Sequence, residues 1–405
     1  MTTFTSIGHA NYLPDELLLE ILGHFDAWGR IERQITLARF SAVNRQWYDP
    51  SPLAGLVKDL DLSHIVHQGA KSTTARLLGR TKSSLEVFVA PQASFAINCW
   101  ASLKICSTPS LSAKGRTRTK RQLLFFGRVS ECIDFASLNQ TIRQLTALRE
   151  LYLPRCSSRY DKQASPTANI RWPPSLQHLA LSGSVSGQFL WDMLQQPEHF
   201  PPTFSSLSIH HSPGLDQHGI KPLLSSLSHS LTNVELRDLP AVKQGRLNGV
   251  LDWLPNLLSL TMALDYIDSR FGYMPADWSA ERCWADAKPL TSLTLLSSGR
   301  HGDPARNFTP TDLYTLVDER YLGRLRYLSV GASTEWDKES EEELGALEYL
   351  LVEELDRENW VERRWHYGEV AEALGSTRLV DYDEWRETTA LGRKMRPRFR
   401  LLKSR

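Results

Sequence analysis

Nine times along this chain one hydrophobic residue is followed three positions later by a second, and two positions after that by a third. The nine read Val57-x-x-Leu60-x-Leu62, Leu85-x-x-Phe88-x-Ala90, Leu148-x-x-Leu151-x-Leu153, Leu176-x-x-Leu179-x-Leu181, Phe204-x-x-Leu207-x-Ile209, Leu231-x-x-Val234-x-Leu236, Leu257-x-x-Leu260-x-Met262, Leu290-x-x-Leu293-x-Leu295 and Leu325-x-x-Leu328-x-Val330. Their starts are separated by 28, 63, 28, 28, 27, 26, 33 and 35 residues. A pattern with such a period builds one structural unit per repeat. Alternation over the last three positions predicts a short strand with its apolar residues on one face. Between the motifs lie stretches compatible with helix, such as Gly187 to Leu194, Ile220 to Leu227 and Gln244 to Leu254. One strand and one helix bury almost nothing alone, so neighbouring units must stack into a continuous apolar spine. Pro173-Pro174 and Pro201-Pro202, just ahead of two motifs, argue against an unbroken helix there.

These motifs resemble leucine-rich repeats. The resemblance implies an α/β fold, a leucine-rich repeat solenoid in which a curved parallel sheet carries outer helices. The turn position that the family fills with Asn or Cys holds Cys156 once and otherwise Ser184, Ser212, Leu239, Asp265, Ser298 and Ser333. Hydroxyls there can satisfy part of the turning backbone, which predicts an irregular arc. The 63-residue step is about two repeats long, yet the interval contains no Leu-x-x-Leu-x-Leu. It reads instead as an atypical basic insertion over residues 102–128, and no acid occurs from Val87 to Ser130. Two origins are open for it: a disordered insertion, or a misassigned exon boundary that replaced a repeat.

A different pattern precedes the array. Pro14 suits the first turn of a helix, where its missing N–H is no loss, and Asp15 and Glu16 complement the positive end of the helix dipole. Leu17, Leu18, Ile21, Leu22 and Phe25 then recur at helical spacing, followed after a break by Leu37, Phe40, Val43 and Trp47. A module of about forty residues buries only about 60% of its unfolded surface, so part of this apolar face requires a partner. The residues Leu13-Pro14, Glu16-Leu17-Leu18, Ile21-Leu22, Phe25 and Val43-Asn44-Arg45-Gln46-Trp47 resemble an F-box, a small all-α helical module. Asn44 stands where many members have Cys, and the connection from Phe25 to Leu37 is longer than usual. The resemblance implies docking to a Skp-family adaptor through Leu13, Pro14, Leu17, Ile21, Leu22, Phe25, Leu37, Val43 and Trp47. Through that adaptor the chain would join a cullin–RING ubiquitin ligase.

Beyond the last motif, Glu335 to Glu358 holds eleven acids and two bases, while Leu344, Leu347, Leu351 and Leu355 keep helical steps. The tail from Arg386 carries eight bases against the single acid Glu387. The chain thus divides into a helical module over 9–52, an irregular repeat array over 53–334 and a helical cap with a basic tail over 335–405.

Chemistry is sparse. Gly183-Ser-Val-Ser-Gly187 lacks the central serine of a nucleophile elbow. His210, His211 and His218 flank a turn with no completing ligand set at familiar spacing, so neither a metal nor any other cofactor is expected. Lys and Arg total 47 against 46 for Asp and Glu, and a balance this close gives no overall field toward nucleic acid or membrane. The N-terminal residues lack the layout of a secretory signal, and five scattered cysteines form no disulfide framework, which predicts cytoplasm or nucleus.

Within each strand, solvent-facing positions include Tyr152, Ala180, Ser208, Glu235, Thr261, Thr294 and Ser329. Tyr and Arg are favoured at binding hot spots, which selects Tyr152, Arg237 and Tyr327, with His178 and His210 beside them, as substrate-binding candidates. The expected role is non-catalytic recognition of a protein substrate for a Skp–cullin–F-box ubiquitin ligase. The alternative is an interaction scaffold that delivers nothing for ubiquitylation.

Overall fold

A computed structural model describes residues 57–62, 71–81, 85–90, 122–125, 145–153, 172–183, 200–279, 286–300, 302–358, 382–388 and 396–403, with a few single positions between them. The helical module over 9–52 lies outside the described residues. So does most of the basic stretch over 102–128.

The described residues form an α/β leucine-rich repeat solenoid. Eleven strands make one sheet whose spatial order is the chain order, and every neighbouring pair is parallel. The strands are β1 (Asp59–Asp61), β2 (Val87–Val89), β3 (Gln122–Phe125), β4 (Leu148–Tyr152), β5 (His178–Ser182), β6 (Ser206–His210), β7 (Asn233–Arg237), β8 (Ser259–Ala263), β9 (Ser292–Leu296), β10 (Tyr327–Gly331) and β11 (Arg398–Leu402). Each of the nine motifs supplies one strand. Register holds Leu179, Leu207, Val234, Leu260, Leu293 and Leu328 in one row, all of them buried. Leu181, Ile209, Leu236, Met262, Leu295 and Val330 form the next, equally buried row. The leading residues Leu176, Phe204, Leu231, Leu257, Leu290 and Leu325 close the core from the strand entrances.

Two strands carry no motif. β3 lies inside the stretch read as a basic insertion, and its Leu124 is in register with Phe88 on one side and Leu151 on the other. The 63-residue step therefore contains a sheet strand although it holds no Leu-x-x-Leu-x-Leu. Three consecutive residues suffice to continue a ladder between two existing strands, so no full leucine motif is needed. β11 lies in the basic tail and pairs with β10 over five residues.

The connections are helical in part. α1 (Lys71–Thr81) follows β1, α2 (Gln217–Ser226) follows β6 and α3 (Pro310–Asp318) follows β9. Asp216 caps α2 by accepting from the His218 and Gly219 N–H groups. Thr309 and Asp312 form a reciprocal capping box at α3. The stretch Gln244 to Leu254 is mostly turn, with one helical turn at Val250–Trp253. Leu344, Leu347, Leu351 and Leu355 are all buried along the cap that starts with α4 (Glu341–Tyr349). The tail helix α5 (Tyr382–Thr388) is fixed to that cap by Arg386, whose guanidinium donates to Glu353 at 3.0 and 3.2 Å.

Beyond the ends of β5 and β6 the backbone ladder continues through tight turns. The residues directly after β5, β6 and β7 are Gly183, His211 and Asp238, with φ of 69°, 49° and 49°. Glycine meets that left-handed turn without penalty, and His and Asp are among the side chains that tolerate it. Their successive backbone bonds then continue the stack: Gly183 N–H donates to His210, His211 N–H to Arg237 and Ser212 N–H to Asp238. Ser212, at the family's Asn/Cys position, is fully buried and donates to the His210 carbonyl at 3.1 Å. At the equivalent positions Asp265 accepts from Ser298 N–H, and Ser333 Oγ from Ser297 N–H.

Candidate ligand face of the repeat sheet

The face opposite the leucine spine is written by alternate strand residues. Register aligns Glu150, His178, Ser206, Asn233, Ser259, Ser292, Tyr327 and Arg398 in one row across β4 to β11. A parallel row holds Tyr152, Ala180, Ser208, Glu235, Thr261, Thr294, Ser329 and Arg400. A third begins with Ser182, His210 and Arg237.

Four of the five residues selected from sequence meet on β4 to β7. The Tyr152 and His178 rings lie 4.9 Å apart at 46°. His178 Nδ1 shares a 2.7 Å hydrogen bond with Ser206 Oγ on the next strand. Burial lowers the His178 pKa, helped by the nearby His210 and opposed by Glu150 and Glu235, so the ring is neutral at neutral pH. Burial raises the Tyr152 phenol, and the charges of Glu150 and Glu235 push it the same way.

Glu235 is the hub of this cluster. Its carboxylate accepts from Ser208 Oγ at 3.2 Å, lies 3.4 Å from His210 Nε2 and pairs with Arg237 Nε. The contact with His210 holds the carboxyl below its ordinary value against the opposing effect of burial, and Arg237 and Ser208 add to that. Sequence reasoning recorded Glu235 as a solvent-facing position but did not select it. The available signal was its place two residues before Arg237, which puts both side chains on one face of β7.

One ring nitrogen here, Nε2 of His178, is enclosed without a hydrogen-bond partner, whereas Nε2 of His210 has the Glu235 carboxylate beside it. An unmet buried polar atom costs about 1–3 kcal/mol, and such costs concentrate where function keeps them. The face thus combines an aromatic pair, an acid–base pair and one unmet ring nitrogen within four strands. Among the described residues no group of acids, cysteines and histidines is arranged to bind a metal.

The fifth selected residue, Tyr327, begins β10, three strands beyond β7, and is not brought into this cluster. Between them stands a belt of small hydroxyl groups: Ser259, Thr261, Ser292 and Thr294. The residues selected for adaptor docking (Leu13, Pro14, Leu17, Ile21, Leu22, Phe25, Leu37, Val43 and Trp47) lie outside the described residues.

Comparison with known proteins bears on both halves. No family profile matches the chain. F-box protein YDR306C of Saccharomyces cerevisiae is 29% identical over 291 residues, an alignment spanning 72% of this chain and 56% of that protein. The chain thus spans little more than half of that relative's length. Protein pof5 of Schizosaccharomyces pombe is 25% identical over 311 residues, covering 76% of this chain and 80% of that protein. Among solved structures, the leucine-rich repeat-containing protein LegL7 of Legionella pneumophila aligns with a TM-score of 0.41 at 14% identity, over 68% of this chain and 83% of that one. The chain is thus similar to a protein named as an F-box protein, and its own leucine motifs build a leucine-rich repeat sheet.

Proposed function

We propose that the chain is the substrate-recognition subunit of a Skp–cullin–F-box ubiquitin ligase and performs no catalysis itself. Residues 9–52 dock a Skp-family adaptor, and the outer face of β4 to β7 holds a protein substrate. Ubiquitin transfer belongs to the partners. The observation that supports this most is the cluster of Tyr152, His178, His210, Glu235 and Arg237 on the outer face of β4 to β7, in a chain whose relative is named an F-box protein. Among the described residues no helix is long and apolar enough to cross a membrane. The expected setting is cytoplasm or nucleus.

Tagged wild-type protein should retain a Skp-family adaptor in a pull-down, and Leu17→Asp combined with Ile21→Asp should lose it. A thermal melt of the repeat sheet that is unchanged in the double variant ties the loss to docking. Retention of the adaptor by the double variant rejects the docking assignment.

A further inference from the structure

We propose that the open edge of the sheet at β11 docks an acidic, extended segment of a partner protein as a further parallel or antiparallel strand. Among the described residues β11 has a strand on one side only, β10. The Arg398 N–H donates to the Arg326 carbonyl at 2.8 Å, and Arg398 is in register with Tyr327. In a parallel ladder alternate residues make both backbone bonds to the same neighbour. Arg398, Arg400 and Leu402 therefore point their backbone groups at β10. The N–H and C=O groups of Phe399 and Leu401 face outward, ready to be met by another strand.

The side chains say what kind of strand fits. Leu401 is in register with the buried Val330, yet it is 49% exposed, and among the described residues no further strand continues the apolar spine past it. Leu402 is 38% exposed. On the opposite face Arg398 and Arg400 are exposed, Lys403 follows them, and the three form no ion pair among the described residues. An added strand with apolar residues toward the core would cover Leu401. Its alternate residues would stand beside Arg398 and Arg400, where carboxylates are favoured. Charge also selects against the simplest competitor. Two copies pairing β11 against β11 would place Arg398, Arg400 and Lys403 of one copy beside those of the other. Basic residues on an edge strand are a known guard against such self-pairing, and the same charges attract an acidic strand. This edge is separate from the cluster on β4 to β7 and does not depend on the substrate role proposed for it.

The test uses the full chain and a fluorescein-labelled peptide of alternating Glu and Val, with an alternating Lys and Val peptide as control, read by anisotropy. Leu401→Pro removes an outward N–H without touching the β10 ladder, so its melting temperature should match wild type. It should weaken the Glu–Val peptide by at least about tenfold, a loss of one or more backbone hydrogen bonds. Arg398→Glu with Arg400→Glu should reverse the preference toward the Lys–Val peptide. Failure of wild type to bind the Glu–Val peptide below about 1 mM overturns the proposal, since that is weaker than ordinary strand addition. Binding that survives Leu401→Pro but falls with charge reversal overturns it too, because attraction without strand pairing is then enough. Concentration-dependent self-association that Leu401→Pro abolishes would assign the edge to a second copy instead.

Discussion

Single residues in this protein do two kinds of work, and Asp268 is the clearest structural case. It is fully buried, pairs with Asn248, accepts from the Arg270 N–H at 3.0 Å and meets the Arg306 guanidinium at 2.7 Å. Asn248 in turn accepts from the Asp268 N–H at 2.9 Å. Gly245, at φ 74°, packs so closely on the carboxylate that a Cβ there would strike Asp268 Oδ2. Burial alone would push the Asp268 carboxyl up, but the bonds from Arg270, Asn248 and Arg306 outweigh it and hold the pKa below the ordinary value. A carboxyl lowered in the fold stabilises it above its unfolded pKa of about 3.9, and that contribution disappears as pH falls through the folded value. Asp268→Asn should therefore cost about 2 kcal/mol in urea denaturation near pH 7. The gap to wild type should narrow as pH falls below about 4 and close once pH drops below the folded value, where both carry an uncharged side chain. A gap that is constant with pH would mean that the charge is not what matters. Glu235 is a half-buried counterpart on the outer face of β7, a carboxylate held by His210, Arg237 and Ser208.

At the scale of elements, the sheet is governed by which face of a strand a residue takes. Leu260 is fully buried on β8, whereas its neighbour Thr261 lies on the outer face. Leu260→Ala should cost about 3 kcal/mol by leaving a cavity in the spine. Thr261→Ala should stay within about 0.5 kcal/mol, as surface changes do. Equal shifts in the urea midpoint would contradict the assigned register. These facing rules are why so much of the fold was legible. Nine strands were announced by leucine spacing, and both rows of the spine follow from it. β3 and β11 were not, for a physical reason. β3 is flanked by strands on both sides, so Gln122-Leu-Leu-Phe125 needs little patterning of its own. β11 has the alternation Arg398, Phe399, Arg400 but lies far beyond the last motif, after the cap, where the repeat spacing offers no guide. The candidate face was legible as positions and less so as partners. Tyr152, His178, His210 and Arg237 converge, Tyr327 stands apart, and Glu235, which joins them, carries no sequence signal beyond its place in the alternation.

For the whole molecule, a stacked array transmits little between distant repeats, since each unit contacts mainly its neighbours. The proposed recognition on β4 to β7, strand addition at β11 and adaptor docking by residues 9–52 would then operate as separate functions of one chain. The substrate role requires two of them to act together: the face must hold what the docking module delivers. Comparing protein half-lives across the proteome tests this directly. Cells lacking the chain are supplied with wild type, with the docking variant Leu17→Asp/Ile21→Asp, or with the face variant Tyr152→Ala/Arg237→Glu. The two variants should stabilise the same small set of proteins, and wild type should restore their turnover. Unchanged half-lives in both, or two sets that do not overlap, would contradict a receptor that docks with one end and recognises with the other.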